Sequence, residues 1–317
     1  MRLASTLIAF VSAGLPSSAE MFFDWPVDCT QGVDCYIQQF VDHDQSTGAR
    51  DFTCGSLSYD GHKGTDIALA TRDQMSRGVG VLAAAPGVVI GKRDGLPDSL
   101  FVNGTDLEGR DCGNGVVIDH GDGWHSQYCH LRQGTVRVGR GAQVLAGQML
   151  GEIGLSGRSQ FVHLDFSIRK DDQIVDPFAP QGAQSCQDPN GETLWTSEVA
   201  YVPGGVLDLG FADAVPQFED VKAGTASRGL SQGAPLVLFA LVYGARQGDV
   251  LRMLIDGPEG RVFQNDVVLD RTQAQIFRAG GRRAPDGDWP IGRYAGIVEL
   301  RRDGAVISVL SGTASID

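Results

Sequence analysis

The chain has 317 residues, enough for two ordinary domains with a sizeable core in each. Its formal net charge is −13, nearly all of it before position 200, where 14 Lys and Arg stand against 25 Asp and Glu; the rest has 12 against 14. So acidic a first part argues against nucleic acid or another polyanion as partner, although plain solubility of an exported protein accounts for the charge equally well.

Arg2, the apolar run Leu3 to Leu15 and the small residues Ser17, Ser18 and Ala19 read as a secretory signal over residues 1–19, with the mature chain starting near Glu20. The run is too short to span a bilayer, and no later stretch is long and apolar enough. The expectation is an exported protein, periplasmic or secreted. Cys29, Cys35, Cys54, Cys112, Cys129 and Cys186 suit that compartment: an even count favours disulfides, and no pair has the C-x-x-C spacing of a zinc ribbon. The pairing stays open, except that Cys29 and Cys35 are close enough to close a small loop.

Asp24 to Thr53, rich in Asp, Cys, Gly and Gln without periodicity, reads as an irregular leading segment pinned by disulfides. From Gly55 to about Lys170, short β-like runs are separated by glycine: Gly78 to Ala85, Gly87 to Gly91, Gly115 to His120, Trp124 to Leu131, Val136 to Gly139 and Val144 to Gly151. Gly121-Asp122-Gly123 supplies a tight hairpin turn, and helical signal is confined to Arg72 to Arg77. Around Asp176 to Pro180 the pattern stops, and a polar stretch to about Glu192 marks a boundary. Strand candidates resume at Leu236 to Val242, Val250 to Ile255, Val262 to Leu269, Arg293 to Arg301 and Ala305 to Leu310, and Trp289 to Tyr294 reads as a corner. The chain is therefore expected to be all-β, with an antiparallel β domain over residues 20–190 and an immunoglobulin-like β-sandwich over residues 200–317.

His62 and Asp66 are four apart but separated by Gly64, a poor helix-interior residue. They read as a loop entering a strand, where Gly64 lets the backbone bend. Phe161 to Phe166 alternates like a strand, which puts His163 and Asp165 on one face. Such a set of His and Asp side chains suits a zinc ion with an open coordination position. Tyr128 points the same way as His130 and suits either substrate contact or packing. Arg158 suits a substrate carboxylate or a plain surface loop. His120 and His125, flanking the hairpin turn, read as solvent-facing, and His43 takes no role.

Together, His62-Lys63-Gly64-Thr65-Asp66, Tyr128-Cys129-His130-Leu131 and Gly157-Arg158-Ser159 leading into His163-Leu164-Asp165 resemble the lysostaphin-type, LytM-like zinc metallopeptidases, with their H-x-G-x-D, Y-x-H-L and H-x-H elements. The resemblance covers about Gly55 to Lys170 and says nothing of the C-terminal part. It implies an antiparallel β core of the duplicated hybrid motif type, Zn2+ as cofactor, and hydrolysis of peptide bonds in bacterial peptidoglycan with a zinc-bound water as nucleophile. Carried over residue by residue, His62 and Asp66 are metal ligands, while His130 and His163 are the catalytic histidines that orient water and carry protons. Asp165 stands where the family has the second histidine of H-x-H, and takes the third ligand position through oxygen. The family's ligand set leaves the zinc site positive; His62, Asp66 and Asp165 leave it neutral, and a less positive zinc acidifies its water less.

The leading expectation is an exported zinc metalloendopeptidase acting on peptidoglycan peptides. The alternative is a catalytically degenerate member of the same fold that binds wall peptides or regulates another wall hydrolase, and a third is a purely structural envelope protein. Retention of His62, Asp66, His130 and His163 favours the enzyme, and Asp165 favours the others. Neither nucleic acid nor a membrane span is expected, and the partner of the C-terminal domain is unknown.

Overall fold

The computed structural model describes residues 21–182 and 185–317, so the expected signal over residues 1–19 lies outside the described residues. The first half comprises β1 (Tyr36–Gln39), β2 (Thr65–Ala68), α1 (Arg72–Arg77), β3 (Gly80–Leu82), β4 (Gly87–Arg93), β5 (Asn114–Gly121), β6 (Trp124–Leu131), β7 (Gln143–Val144), β8 (Met149–Glu152), β9 (His163–Lys170) and β10 (Gln173–Val175). Eight of these strands form one sheet in the order β1-β2-β9-β6-β5-β4-β7, with β10 also on β9 and every pairing antiparallel. β9 lies inside the sheet, and its Leu164, Phe166 and Ile168 enter the core. That packing holds the strand that carries His163 and Asp165.

The second half comprises β11 (Gly205–Ala212), α2 (Phe218–Ala223), β12 (Leu236–Ala245), β13 (Val250–Gly257), β14 (Gly260–Val268), β15 (Gln273–Arg282), β16 (Gly292–Arg302) and β17 (Ala305–Ile316). Its sheets β11-β12-β15 and β14-β13-β16-β17 pack as a β-sandwich around Leu238, Val242, Met253, Tyr294 and Val298. The expected corner is present: the Tyr294 hydroxyl donates to Pro290 O at 2.8 Å and the Trp289 indole N–H to Ala234 O at 2.8 Å.

The architecture is all-β and antiparallel, as expected, with local differences that have physical reasons. β1 lies in the leading segment read as irregular; all four of its residues are buried, so Gln38 and Gln39, on opposite faces, are both covered and no polar-out alternation marks the strand. β11, β15 and α2 were not among the expected elements, and β15 is rich in Gln, Arg and Gly, which carry little strand signal. Val136 to Gly139 forms no strand, although Val136 and Val138 are buried in the first core.

Three disulfides staple the first half: the expected Cys29–Cys35, together with Cys54–Cys186 and Cys112–Cys129. Cys54–Cys186 spans 132 residues and so constrains the unfolded chain most. Tyr36 and Tyr243 pack across the junction of the halves with centroids 4.5 Å apart. The Gln275 amide donates to Tyr36 Oη at 2.9 Å and to Gln38 Oε1 at 3.1 Å, while the Gln38 amide donates to Ala274 O at 3.0 Å.

The first core also draws on Leu194 and Trp195, just past the expected boundary. A protein made of residues 20–198 under oxidising conditions is expected to unfold cooperatively without the sandwich. Ending it at Asn190 removes the buried Trp195 and is expected to cost about 3–5 kcal/mol. Thermal unfolding checks both, and absence of a cooperative transition in the longer protein would show that the halves share one core.

Candidate metal centre

Strand register brings the candidate residues together. β2 pairs with β9 so that Asp66 stands opposite Asp165 and Ala68 opposite His163. β6 flanks β9 on its other side with Cys129 opposite Asp165, which leaves His130 beside His163, ring centroids 4.6 Å apart. His62, in the loop before β2, places Nε2 at 3.1 Å from Asp66 Oδ1, and His163 Nε2 lies 3.5 Å from the same oxygen. One donor atom each from His62, Asp66 and Asp165 lies within 4.8 Å of the others.

All three histidines are fixed the same way. Nδ1–H of His62 donates to Phe40 O at 2.8 Å, that of His130 to Ser156 O at 2.7 Å, and that of His163 to Phe161 O at 2.9 Å. A carbonyl only accepts, so each Nδ1 carries the proton and leaves Nε2 as the working nitrogen. Gly157, at φ +81°, lets the chain turn immediately after Ser156, and a Cβ there would meet Asp111 O and the Gly113 amide. His130 itself sits at φ +64°, a conformation costly for a side-chain-bearing residue, held by its backbone N–H donating to Cys112 O at 2.8 Å beside the Cys112–Cys129 bridge.

The residues fit a cation. Asp165 Oδ1 is buried without a hydrogen-bond donor, and a Cβ on Gly64 would fall on that oxygen. An unpaired buried carboxylate oxygen is expensive unless charge compensates it. One imidazole nitrogen with two carboxylates is a donor set that zinc accepts. Without a metal, burial opposes the charged form of His62, yet Asp66 and Asp165 outweigh it and raise its pKa to about 9. Burial and then the Asp66 charge push Asp165 up, while Asp66, despite burial, is held down by His62 and His163. Burial and then neighbouring His163 lower His130 to about 4, and burial lowers His163.

A cleft of about 530 Å³ opens on Asp66, His130, His163 and Asp165. Tyr128 does not reach it: its hydroxyl accepts the Ala84 N–H at 2.8 Å and its ring is fully buried in the core. Arg158 lines the cleft, pairs with Asp111 at 2.5 Å and lies over the Phe101 ring. His120 is half-buried instead of solvent-facing, bonded to Pro86 O and Ser126 Oγ, both at 2.7 Å. His43 meets Asp176 at 2.7 Å, away from the centre. The anchoring carbonyls, and Tyr59 against the His62 ring at 4.4 Å, carry no motif and were not legible before folding.

Residues 60–177 match the profile of Peptidase family M23. That segment, about a third of the chain, is similar to M23 domains. Among solved structures, a zinc-containing peptidase from Vibrio cholerae is 22% identical over 50% of this chain and 39% of its own, with a TM-score of 0.33. The catalytic domain of lysostaphin from Staphylococcus simulans is 20% identical over 44% of this chain and 85% of its own, with a TM-score of 0.28. The SpoIIIAH and SpoIIQ complex matches at 20% identity over 49% of this chain and 96% of that one, with a TM-score of 0.35. Among the described residues no helix is long and apolar enough to cross a membrane.

His62 is protonated at neutral pH in the metal-free protein and must lose that proton before Nε2 can ligate. Apparent zinc affinity is therefore expected to rise with pH and level off near about 9. Calorimetric titration with zinc in buffers of different ionisation enthalpy should show proton release at neutral pH. An affinity independent of pH over this range would show that His62 is already neutral.

Proposed function

We propose that this protein is an exported zinc metalloendopeptidase that hydrolyses peptide bonds in bacterial peptidoglycan. What carries the reading is the convergence of His62, Asp66 and Asp165, with the unpartnered Asp165 Oδ1 among them, inside an M23-like domain. Those three would hold the zinc. When bound, zinc supplies Lewis acidity, acidifying water and polarising a peptide carbonyl. His130 is neutral at pH 7 and oriented by Ser156 O, so its Nε2 can accept a proton from water and return it to the leaving amine. His163, anchored on Phe161 O, faces the same space and can steady developing charge. Three disulfides support an oxidising, exported setting.

One observation favours a second reading, a wall-peptide-binding or regulatory protein without turnover: the third ligand position is Asp165, not histidine. Two carboxylates would neutralise the charge of a bound zinc and weaken its pull on water.

Purified mature protein is expected to hold about one zinc and to release peptides from isolated peptidoglycan. His62→Ala should abolish zinc binding, because two oxygen ligands alone hold zinc poorly. Stoichiometric zinc in that variant would overturn the ligand assignment. Asp165→His is expected to keep zinc and increase turnover, by at most about tenfold for each unit by which the water pKa falls while it stays above the assay pH. Loss of both zinc and activity would instead show surroundings adapted to a carboxylate. If wild type and Asp165→His both bind zinc yet both leave peptidoglycan intact, the hydrolase reading falls and the binding role remains.

A further inference from the structure

The cleft does not belong to the M23-like domain alone. Phe218 and Lys222 of α2, with Ala274 and Gln275 of β15, line it from the sandwich side. They are fastened there by the Gln275 and Gln38 amides and by Arg72 of α1, which donates to the Glu219 carbonyl at 3.0 Å and pairs with its carboxylate at 3.4 Å. Lys222 Nζ lies 2.6 Å from Glu219 Oε1 and 4.9 Å from the centre of the Phe218 ring. An ammonium has three N–H donors, so contact with Glu219 leaves donors over for a ligand. Glu219 is shared between Arg72 and Lys222, so neither cation has a carboxylate of its own.

Lys222 is the cation that the sandwich contributes to the lining; Arg158, from the other half, pairs with Asp111, and Asp66 and Asp165 belong to the candidate metal cluster. Gln39, on the floor beside them, is 7% exposed and keeps a buried Oε1 with no donor, a position for a peptide N–H. We propose that the C-terminal half forms the second wall of the substrate cleft, and that Lys222 binds a free carboxylate of the bound peptide. The inference rests on the peptide-substrate reading above and names the feature of the substrate that the sandwich selects.

The test uses soluble peptidoglycan fragments in two forms, with carboxylates free or converted to carboxamides, and the full-length mature wild type, Lys222→Gln and Lys222→Arg. Wild type should prefer the free form; Lys222→Gln should raise KM for it by about tenfold, leave kcat and zinc content unchanged and lose the preference, while Lys222→Arg restores it. Equal KM for the two forms in wild type, or equal losses on both in Lys222→Gln, would overturn the proposal. Calorimetric binding of the same fragments keeps the two levels apart. Carboxylate-selective, Lys222-dependent binding without hydrolysis would sustain the role of Lys222 while the peptidase reading falls. Fragments that bind without regard to carboxylate or Lys222 would overturn that role even if they are cleaved.

Discussion

The register of β2 on β9 is the constraint on which the centre depends. Asp66 opposite Asp165 and Ala68 opposite His163 put two carboxylates and an imidazole on one face of adjacent strands. A slip of one residue would turn Asp66 towards the other face and dissolve the cluster. Burial of Ile67 on β2 and of Leu164 and Phe166 on β9 holds that register, since a slip would also take these side chains out of the core. Hydrophobic packing on one face thus fixes polar geometry on the other.

The same register sets an electrostatic demand. Two buried carboxylates side by side repel, and in the metal-free protein the protonated His62 and a raised Asp165 pKa relieve the repulsion. A divalent ion would do so more completely, because it would also compensate Asp165 Oδ1, which lacks a hydrogen-bond donor. Gly64 belongs to this arrangement through space and not through backbone freedom: its φ is an ordinary one, and its missing Cβ leaves room for the carboxylate oxygen.

Much of this was legible in the sequence because it is written at short range. Spacing around Gly64 and strand alternation around His163 bring out the centre, and glycine-bounded runs bring out most strands. What escaped reading depends on distant partners. The carbonyls that orient His62 and His130 come from Phe40 and Ser156, 22 and 26 residues away, and carbonyls have no sequence signature. Cys54 finds Cys186 across 132 residues, and β1 loses its alternation because both faces are covered. Lys222 lies outside the M23-like domain altogether, and only the docking of the halves brings it to the cleft.

That docking has a mechanical consequence. The sandwich grips β1 through Tyr36 and Gln38, and Gln39, the next residue, pairs directly with Asp66. A single strand-pairing step therefore separates the junction of the halves from the carboxylate shared by His62 and His163. One short strand thus carries both the footing of the sandwich and the backbone beside Asp66, so the seat of the second half and the placing of that carboxylate are fixed by the same four residues.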